Sequence, residues 1–295
     1  MRDVSSGSGT GAAQPVSPTV GRRWLAQEIR RLRENAGLKQ GDVAARLRCA
    51  QGKIAHMESM RNAISGPDLE IMLPFFGVPA ERIGWYLQLA DVAKQKGWWD
   101  GNQAIPDWFS LYVGLEWGAS EIREWDLGFI PGILQTRAYA EAVLGDDLSV
   151  SEERLAKQAE ARLRRRDALT REDLPLFMHA IIDEAALRRV IGGERVMVEQ
   201  IQHLLEFCAS PHVIVQVMTF DRGPHRGQLG SFHLLDFANA DDRGVVYVEN
   251  QAGGTCLEEV AEVESFRQVF EELTMKALSI TDSEVFLREL AKDLA

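Results

Sequence analysis

Gln51, Gly52, Lys53, Ala55 and His56 form a cluster whose residue types suit recognition better than reaction. A glutamine amide can offer a donor and an acceptor together to an adenine edge, and a lysine ammonium can reach guanine O6 and N7. Gln40 lies at the start of the preceding helical segment, where the positive helix end favours a phosphate. Arg61 and the Arg22–Arg23 pair are further phosphate candidates. Together these positions make an expected contact set for double-stranded DNA.

Such a set works only if two short helices cross steeply and the second turns its N-terminal residues outward. The segment from Leu38 to Glu58 has the right pattern. Ala44 is small enough for the crossing point, and Val43, Leu47, Cys49, Ile54 and Met57 are spaced to point inward. Leu25, Ile29 and Leu32 predict a helix before this pair, ended by Gly37. Leu69, Met72 and Leu73 predict a fourth helix, stopped near Pro74 and Gly77, and residues 79–96 a fifth. Charge follows the same division. The chain carries a net −11, yet residues 21–65 hold ten Lys and Arg against four Asp and Glu. A basic head on an acidic remainder fits a protein that presents one face to a polyanion.

The segment around residues 22–65 resembles the XRE (Cro-repressor-like) helix-turn-helix regulators, through its Arg-rich first helix, Gln40, Val43-Ala44, Leu47, Ile54, Glu58 and Arg61. The resemblance implies operator binding as a homodimer. Three positions depart from the family pattern: Lys39 stands where a capping Thr is usual, Arg48 where a turn Gly is usual, and Ala50 where a capping Ser is usual. Each departure costs on the order of 1 kcal/mol. Gly52 inside the recognition helix adds up to about 1 kcal/mol relative to Ala.

The expected domains are a disordered arm over 1–20, a helix-turn-helix domain over 21–96, and an effector- or partner-binding and dimerisation domain over 107–295. The expected fold is α+β: an all-α head, then a small, mainly antiparallel sheet backed by helices. Helices are expected at 107–117 and 132–144. Strand signals cover Leu176–Ile182, His212–Phe220, Gly230–Phe237 and Val245–Glu249. His212–Phe220 is apolar on both faces, which predicts a central strand. Residues 151–170 predict a helix whose five arginines, Arg154, Arg162, Arg164, Arg165 and Arg166, line a solvated face beside Glu152, Glu153, Glu160 and Asp167. Trp85, Trp98, Trp99, Trp108, Trp117 and Trp125 are expected to crowd the domain junction.

Within the larger domain, four stretches resemble actinobacterial XRE-type regulators of the WhiJ-like, antitoxin-like group: Phe129–Thr136 with Tyr139-Ala140, Asp183–Arg189, Val213–Phe220 and Val246–Asn250. That resemblance implies control by a small protein encoded nearby. It leaves two readings: a regulator whose larger domain binds an effector, or an antitoxin-like protein whose DNA binding is autoregulation. Candidate effector or partner contacts are Arg222, His225 and Arg226 in one loop, and Glu249 and Asn250 at a strand end; solvated loops are the plainer reading of both. Asp183 is expected to cap a helix. The chain contains no Gly-rich phosphate loop, no HExxH, no GxSxG and no tight His/Cys/Asp set with metal spacing. Neither enzyme activity nor a metal or other cofactor is expected; Asp183, His225 and Glu249 could converge only through the fold, which spacing does not reveal. Cys49, Cys208 and Cys256 lack a CxxC pair and are expected to be reduced. No apolar run is long enough to span a membrane and no signal peptide is evident, so a cytoplasmic, nucleoid-associated protein is expected.

Overall fold

Helical periodicity in the first third of the chain gives way to alternating β-rich segments, and the computed structural model divides accordingly. It describes residues 17–145, 151–239 and 241–294. The smaller unit comprises Gly21–Lys94 with Ala238–Asp242; the larger takes in Ser17–Val20, Gln95–Phe237 and the chain from Arg243 onward.

The smaller unit contains α1 (Pro18–Asn35, from Gly21 on), α2 (Gln40–Leu47), α3 (Gln51–Glu58), α4 (Gly66–Phe75) and α5 (Ala80–Lys94). Leu25, Ile29, Val43, Ala44, Ile54, Met57, Leu69 and Met72 meet in one core. Gly37 ends α1 with φ +70°, a conformation that costs glycine nothing. Residues 1–16 of the expected disordered arm lie outside the described residues. Ser17–Val20 correct that expectation: Val20 is buried, and Ser17 Oγ donates to the Gly114 carbonyl at 2.6 Å. All four residues from Ser17 to Val20 are buried, and the buried hydroxyl of Ser17 is satisfied.

In the larger unit, α6 (Asp107–Gly118) precedes β1 (Glu121–Asp126), which is followed by a 3-10 turn (Gly132–Leu134), α7 (Arg137–Leu144), α8 (Glu152–Arg164) and α9 (Asp167–Thr170). Then come β2 (Phe177–Asp183), α10 (Glu184–Arg188), α11 (Glu194–Cys208), β3 (Val213–Met218), β4 (Phe232–Asp236), β5 (Val245–Asn250), β6 (Gly253–Leu257), α12 (Val260–Lys276) and α13 (Ile280–Asp293). The six strands form one sheet in the order β3-β2-β1-β4-β5-β6. β1–β2 and β2–β3 are parallel; the other three ladders are antiparallel. The fold is α+β, with helices on both faces of the sheet.

The expected central position of residues 212–220 is corrected: β3 lies at an edge. It is apolar on both faces because Val213, Val215 and Val217 join the core on one side and Met218 packs with Phe270 and Leu273 of α12 on the other. Its outer edge is also covered. Leu278 N donates to Val217 O at 2.9 Å, and Val217 N donates to Ser283 Oγ at 3.0 Å. A capped edge buries a strand as thoroughly as two neighbours would. β1 takes the central place instead. Its sequence, Glu-Ile-Arg-Glu-Trp-Asp, hides it, because charged residues occupy four of its six positions and one of them, Glu124, is buried.

The expected tryptophan cluster is also corrected. Trp98, Trp99 and Trp117 meet with ring centroids 5.8–6.0 Å apart. Trp85 packs on Trp24 in the smaller unit, and Trp125 lies buried in β1, its Nε1 donating to Gly227 O at 2.8 Å. All three cysteines are free and partly buried.

Candidate nucleic-acid interface and ligand cavity

The turn between α2 and α3 fixes the recognition helix. Arg48 adopts the left-handed conformation there (φ 54°), and Cys49 N donates to Ala44 O at 3.0 Å. Neither Lys39 nor Ala50 caps its helix through its side chain; Asp42 compensates at Lys39 by accepting from its backbone N–H at 2.7 Å. Glu58, at the end of α3, ties three helices together. Its carboxylate accepts two bonds from Arg33 of α1, at 2.6 and 3.0 Å, and one from Gln40 of α2 at 2.9 Å. Arg33 and Glu58 are nearly buried, so this clamp is shielded from screening. Arg33 had no assigned role in the sequence; a buried arginine within an Arg-rich helix leaves no separate signal.

The structure distributes the sequence candidates unevenly. Gln51, Gly52, His56 and Arg61 are exposed, and Ala55 is partly so. Lys53 is partly buried, its Nζ held by Asp68 at 2.8 and 3.1 Å. Burial would raise the Asp68 pKa, but hydrogen bonds from Lys53 and Ser65 outweigh it and lower it. Gln40 is committed to Glu58 through its amide nitrogen. Arg23 is buried and ion-paired with Asp242, and Arg22 donates to the Ala93 carbonyl at 3.5 Å. These two arginines therefore hold the fold rather than offer free phosphate contacts. Among the described residues of the smaller unit, the exposed cations with no carboxylate in salt-bridge range are Lys39, Arg46, Arg48, Arg61 and Arg82, the last of which reaches Tyr86 Oη at 3.4 Å. Two of them, Lys39 and Arg48, stand where the family pattern has neutral residues.

The larger unit holds a cavity of about 360 Å³. Trp108, Phe109, Phe129 and Val143 contribute apolar wall, while Asp126, Gln135, Arg162, Arg165, His233 and Glu249 supply polar groups. The strand period puts Glu124 and Asp126 on one face of β1, and the register sets His233 of β4 opposite Glu124. α6 lies over that face: Tyr112 Oη is 3.1 Å from Glu124 Oε1 and 2.8 Å from His233 Nδ1. Glu116, also on α6, makes a two-pronged pair with Arg165 at 2.7 and 2.6 Å. Gly132 permits this, since a Cβ there would come within 2.8 Å of Arg165 Nη1.

Electrostatics at the cavity floor are dominated by burial. Burial drives the Glu124 carboxyl up. It also works against charge on His233, but Glu124 and Asp126 overcome it and raise the imidazole. Arg162 is pushed down to about 10 by burial and by the neighbouring Arg165; its Nη1 donates to Gln135 Oε1 at 3.0 Å. The expectation of a solvated arginine face over 151–170 is thus corrected. Arg165 is buried, Arg166 donates to the Ile133 and Gln135 carbonyls, and Arg164 stacks 4.8 Å from the Trp98 ring centroid. A helix this charged can still turn arginines inward when carbonyls and carboxylates await them.

Of the expected effector contacts, Glu249 lies on the cavity, accepting from Tyr247 Oη at 3.2 Å. Asn250 accepts from Ala252 N in the turn after β5. Arg222, His225 and Arg226 are not among the residues lining the cavity. Arg226 pairs loosely with Glu272, Arg222 Nε lies 3.4 Å from Thr219 Oγ1, and His225 packs edge-on against Trp125. Asp183 caps α10 by accepting from Ala185 N at 2.8 Å. Glu124, Asp126, His233, Tyr112 and Arg162 were not singled out as a site, because only strand pairing brings them together.

Residues 24–84 match a helix-turn-helix domain model. Residues 109–289 match the family described as a domain of unknown function, DUF5753. The chain belongs to the DUF5753 family. The Glu124–Asp126–His233 group and most of the cavity lining lie within the matched span, and Trp108 lies just before it. Preceding that span is a helix-turn-helix head, which supports a DNA-binding regulator. No curated protein and no solved structure matches the chain. No helix among the described residues is long and apolar enough to cross a membrane.

Proposed function

We propose that the protein is a sequence-specific transcriptional regulator whose DUF5753 unit binds an effector in the 360 Å³ cavity. The observation carrying the DNA-binding part is the outward N-terminal turn of α3, where Gln51, Gly52 and His56 are exposed beside the cations Arg48 and Arg61. Placement of the head in the XRE group, placement of the larger unit among WhiJ-like, antitoxin-like proteins, and binding as a homodimer at symmetric half-sites belong to the same proposal. The effector part is supported by the cavity's mix of aromatic wall and convergent polar groups, the usual composition of a small-molecule site. The protein acts by binding and is not an enzyme on this reading.

The test begins with selection of bound fragments from genomic DNA by the purified full-length chain. Fluorescence anisotropy then compares the best fragment with scrambled DNA. Affinity should fall steeply with salt. The Gln51→Ala, His56→Ala double variant should lose about 1–3 kcal/mol of discrimination per specific contact while keeping non-specific binding. Unchanged preference in that variant would remove α3 from the recognition role.

A further inference from the structure

Glu124, Asp126 and His233 offer one ligand atom each within 4.8 Å of one another. Glu124 is fully buried, yet its Oε2 has no hydrogen-bond partner, and neither has Asp126 Oδ2. Buried carboxylate oxygens are normally satisfied, so two orphaned acceptors side by side ask for a cation. The imidazole does not fill that role well. Its nitrogens stand 3.5 Å from Glu124 Oε1 and 3.6 Å from Asp126 Oδ1, too far for good hydrogen bonds. Ligands around an ion at about 2.1 Å lie roughly 3–3.4 Å apart, and His233 Nε2 and Asp126 Oδ1, at 3.6 Å, are near that spacing.

Tyr112 supplies the outer support that metal-bound histidines have. With its hydroxyl 2.8 Å from His233 Nδ1 and 3.1 Å from Glu124 Oε1, it can accept the Nδ1 proton and donate onward to Glu124. That leaves the Nε2 lone pair, Glu124 Oε2 and the Asp126 carboxylate for an ion. Charge agrees. Around the floor, Glu116, Glu124, Asp126 and Glu249 lie with Arg162 and Arg165, so an ion that displaces the protons of the carboxyls and the imidazole meets two net negative charges.

We infer that Glu124, Asp126 and His233 bind a first-row divalent transition-metal ion, with the remaining coordination positions open to the cavity. One imidazole and two carboxylates suit Mn²⁺, Fe²⁺, Co²⁺ or Zn²⁺ better than Mg²⁺ or Ca²⁺, which prefer oxygen alone, or Cu⁺, which prefers sulfur. The site stands independently of the DNA-binding reading.

The experiment is calorimetric titration of the chelator-stripped, full-length protein with MnCl₂ and, separately, ZnCl₂. One equivalent should bind, and Glu124→Gln and His233→Gln should each weaken binding by about 100-fold or more, since even outer-shell losses cost 10–100-fold. Glu272→Gln, which removes an exposed carboxylate of α12, should leave it unchanged. The absence of binding by either ion would overturn the site, as would unchanged affinity in the double variant Glu124→Gln, His233→Gln. Should those variants misfold, X-ray absorption of the zinc-loaded native protein decides the matter. A shell of oxygen and one imidazole nitrogen supports the site; sulfur from Cys49, Cys208 or Cys256 overturns it.

Discussion

The surface around the recognition turn of the helix-turn-helix head and the cavity of the DUF5753 unit use arginine in opposite ways. In the head, Arg46, Arg48 and Arg61 are exposed and have no carboxylate partner among the described residues. In the larger unit, Arg165 is buried against Glu116, and Arg162 and Arg166 are partly buried and bonded to Gln135 or to backbone carbonyls. The physical consequence differs accordingly. An exposed guanidinium adds little stability and much long-range attraction to a polyanion. A buried, multiply bonded one is costly to desolvate and more costly still to leave half-paired. Arginine content alone therefore says nothing about DNA contact; exposure decides.

The strongest attempt to break this contrast is Arg165→Ala. Glu116 would be left as a buried charge, 1% exposed, without its partner. The expected loss is about 3–5 kcal/mol. Urea titration followed by tryptophan fluorescence should report it, because Trp98, Trp99, Trp117 and Trp125 all lie in the larger unit. A loss below about 1 kcal/mol would mean that water reaches the pair and that the two units do not differ as described.

The contrast also explains what the sequence could convey. The head was legible because helical spacing of Leu25, Ile29, Val43, Leu47 and Ile54 is a local signal, and Lys39, Arg48 and Ala50 show their penalties as strained or uncapped backbone where the pattern located them. Strands β2 to β5 were legible from β-rich runs bounded by turns. β1 was not, since Glu124 and Asp126 break its apolar pattern, and β6 was not, since Gly253 and Gly254 begin it. The cavity floor was hidden for a different reason. Glu124 and His233 are far apart in sequence and become neighbours only through the antiparallel β1–β4 register. Spacing rules for metal or catalytic motifs see helices and loops, and a cross-strand pair escapes them. Lys53 shows what position alone leaves out: it lies on α3, and its partner Asp68 comes from the next helix.

A second variant sharpens the picture of the head, which has its own clamped carboxylate. Glu28 accepts from Arg31 at 2.7 Å twice and from Tyr86 Oη at 2.8 Å. Burial would raise its pKa, but these bonds hold it below the usual 4.5. A lowered carboxylate pKa stabilises the fold above the unfolded value and loses that contribution as pH falls through the folded value. Tyr86→Phe should thus cost about 1.5 kcal/mol at neutral pH. The gap from native should begin to close below pH 4.5 and be lost once pH has fallen through the lowered native value, where the carboxyl is protonated in both proteins. Thermal melts across that range provide the check, and a gap that stays constant would show that the hydroxyl acts on something other than Glu28.

The smallest expected effect on stability separates the two uses of one arginine. Arg48 is exposed at φ 54°, so it combines backbone strain with a free positive charge at the turn before α3. Glycine relieves the strain, and Arg48→Gly should stabilise the head by about 1 kcal/mol or slightly less, part of the gain being offset by the entropy glycine loses on folding. If Arg48 touches a phosphate, the same change should weaken DNA binding about equally for all sequences and reduce the slope of log K against log salt by about 1. A more stable head that binds DNA less well is the signature of a residue kept for charge rather than for fold. A more stable head with an unchanged salt slope would place the phosphate contacts elsewhere, on Lys39, Arg46 or Arg61.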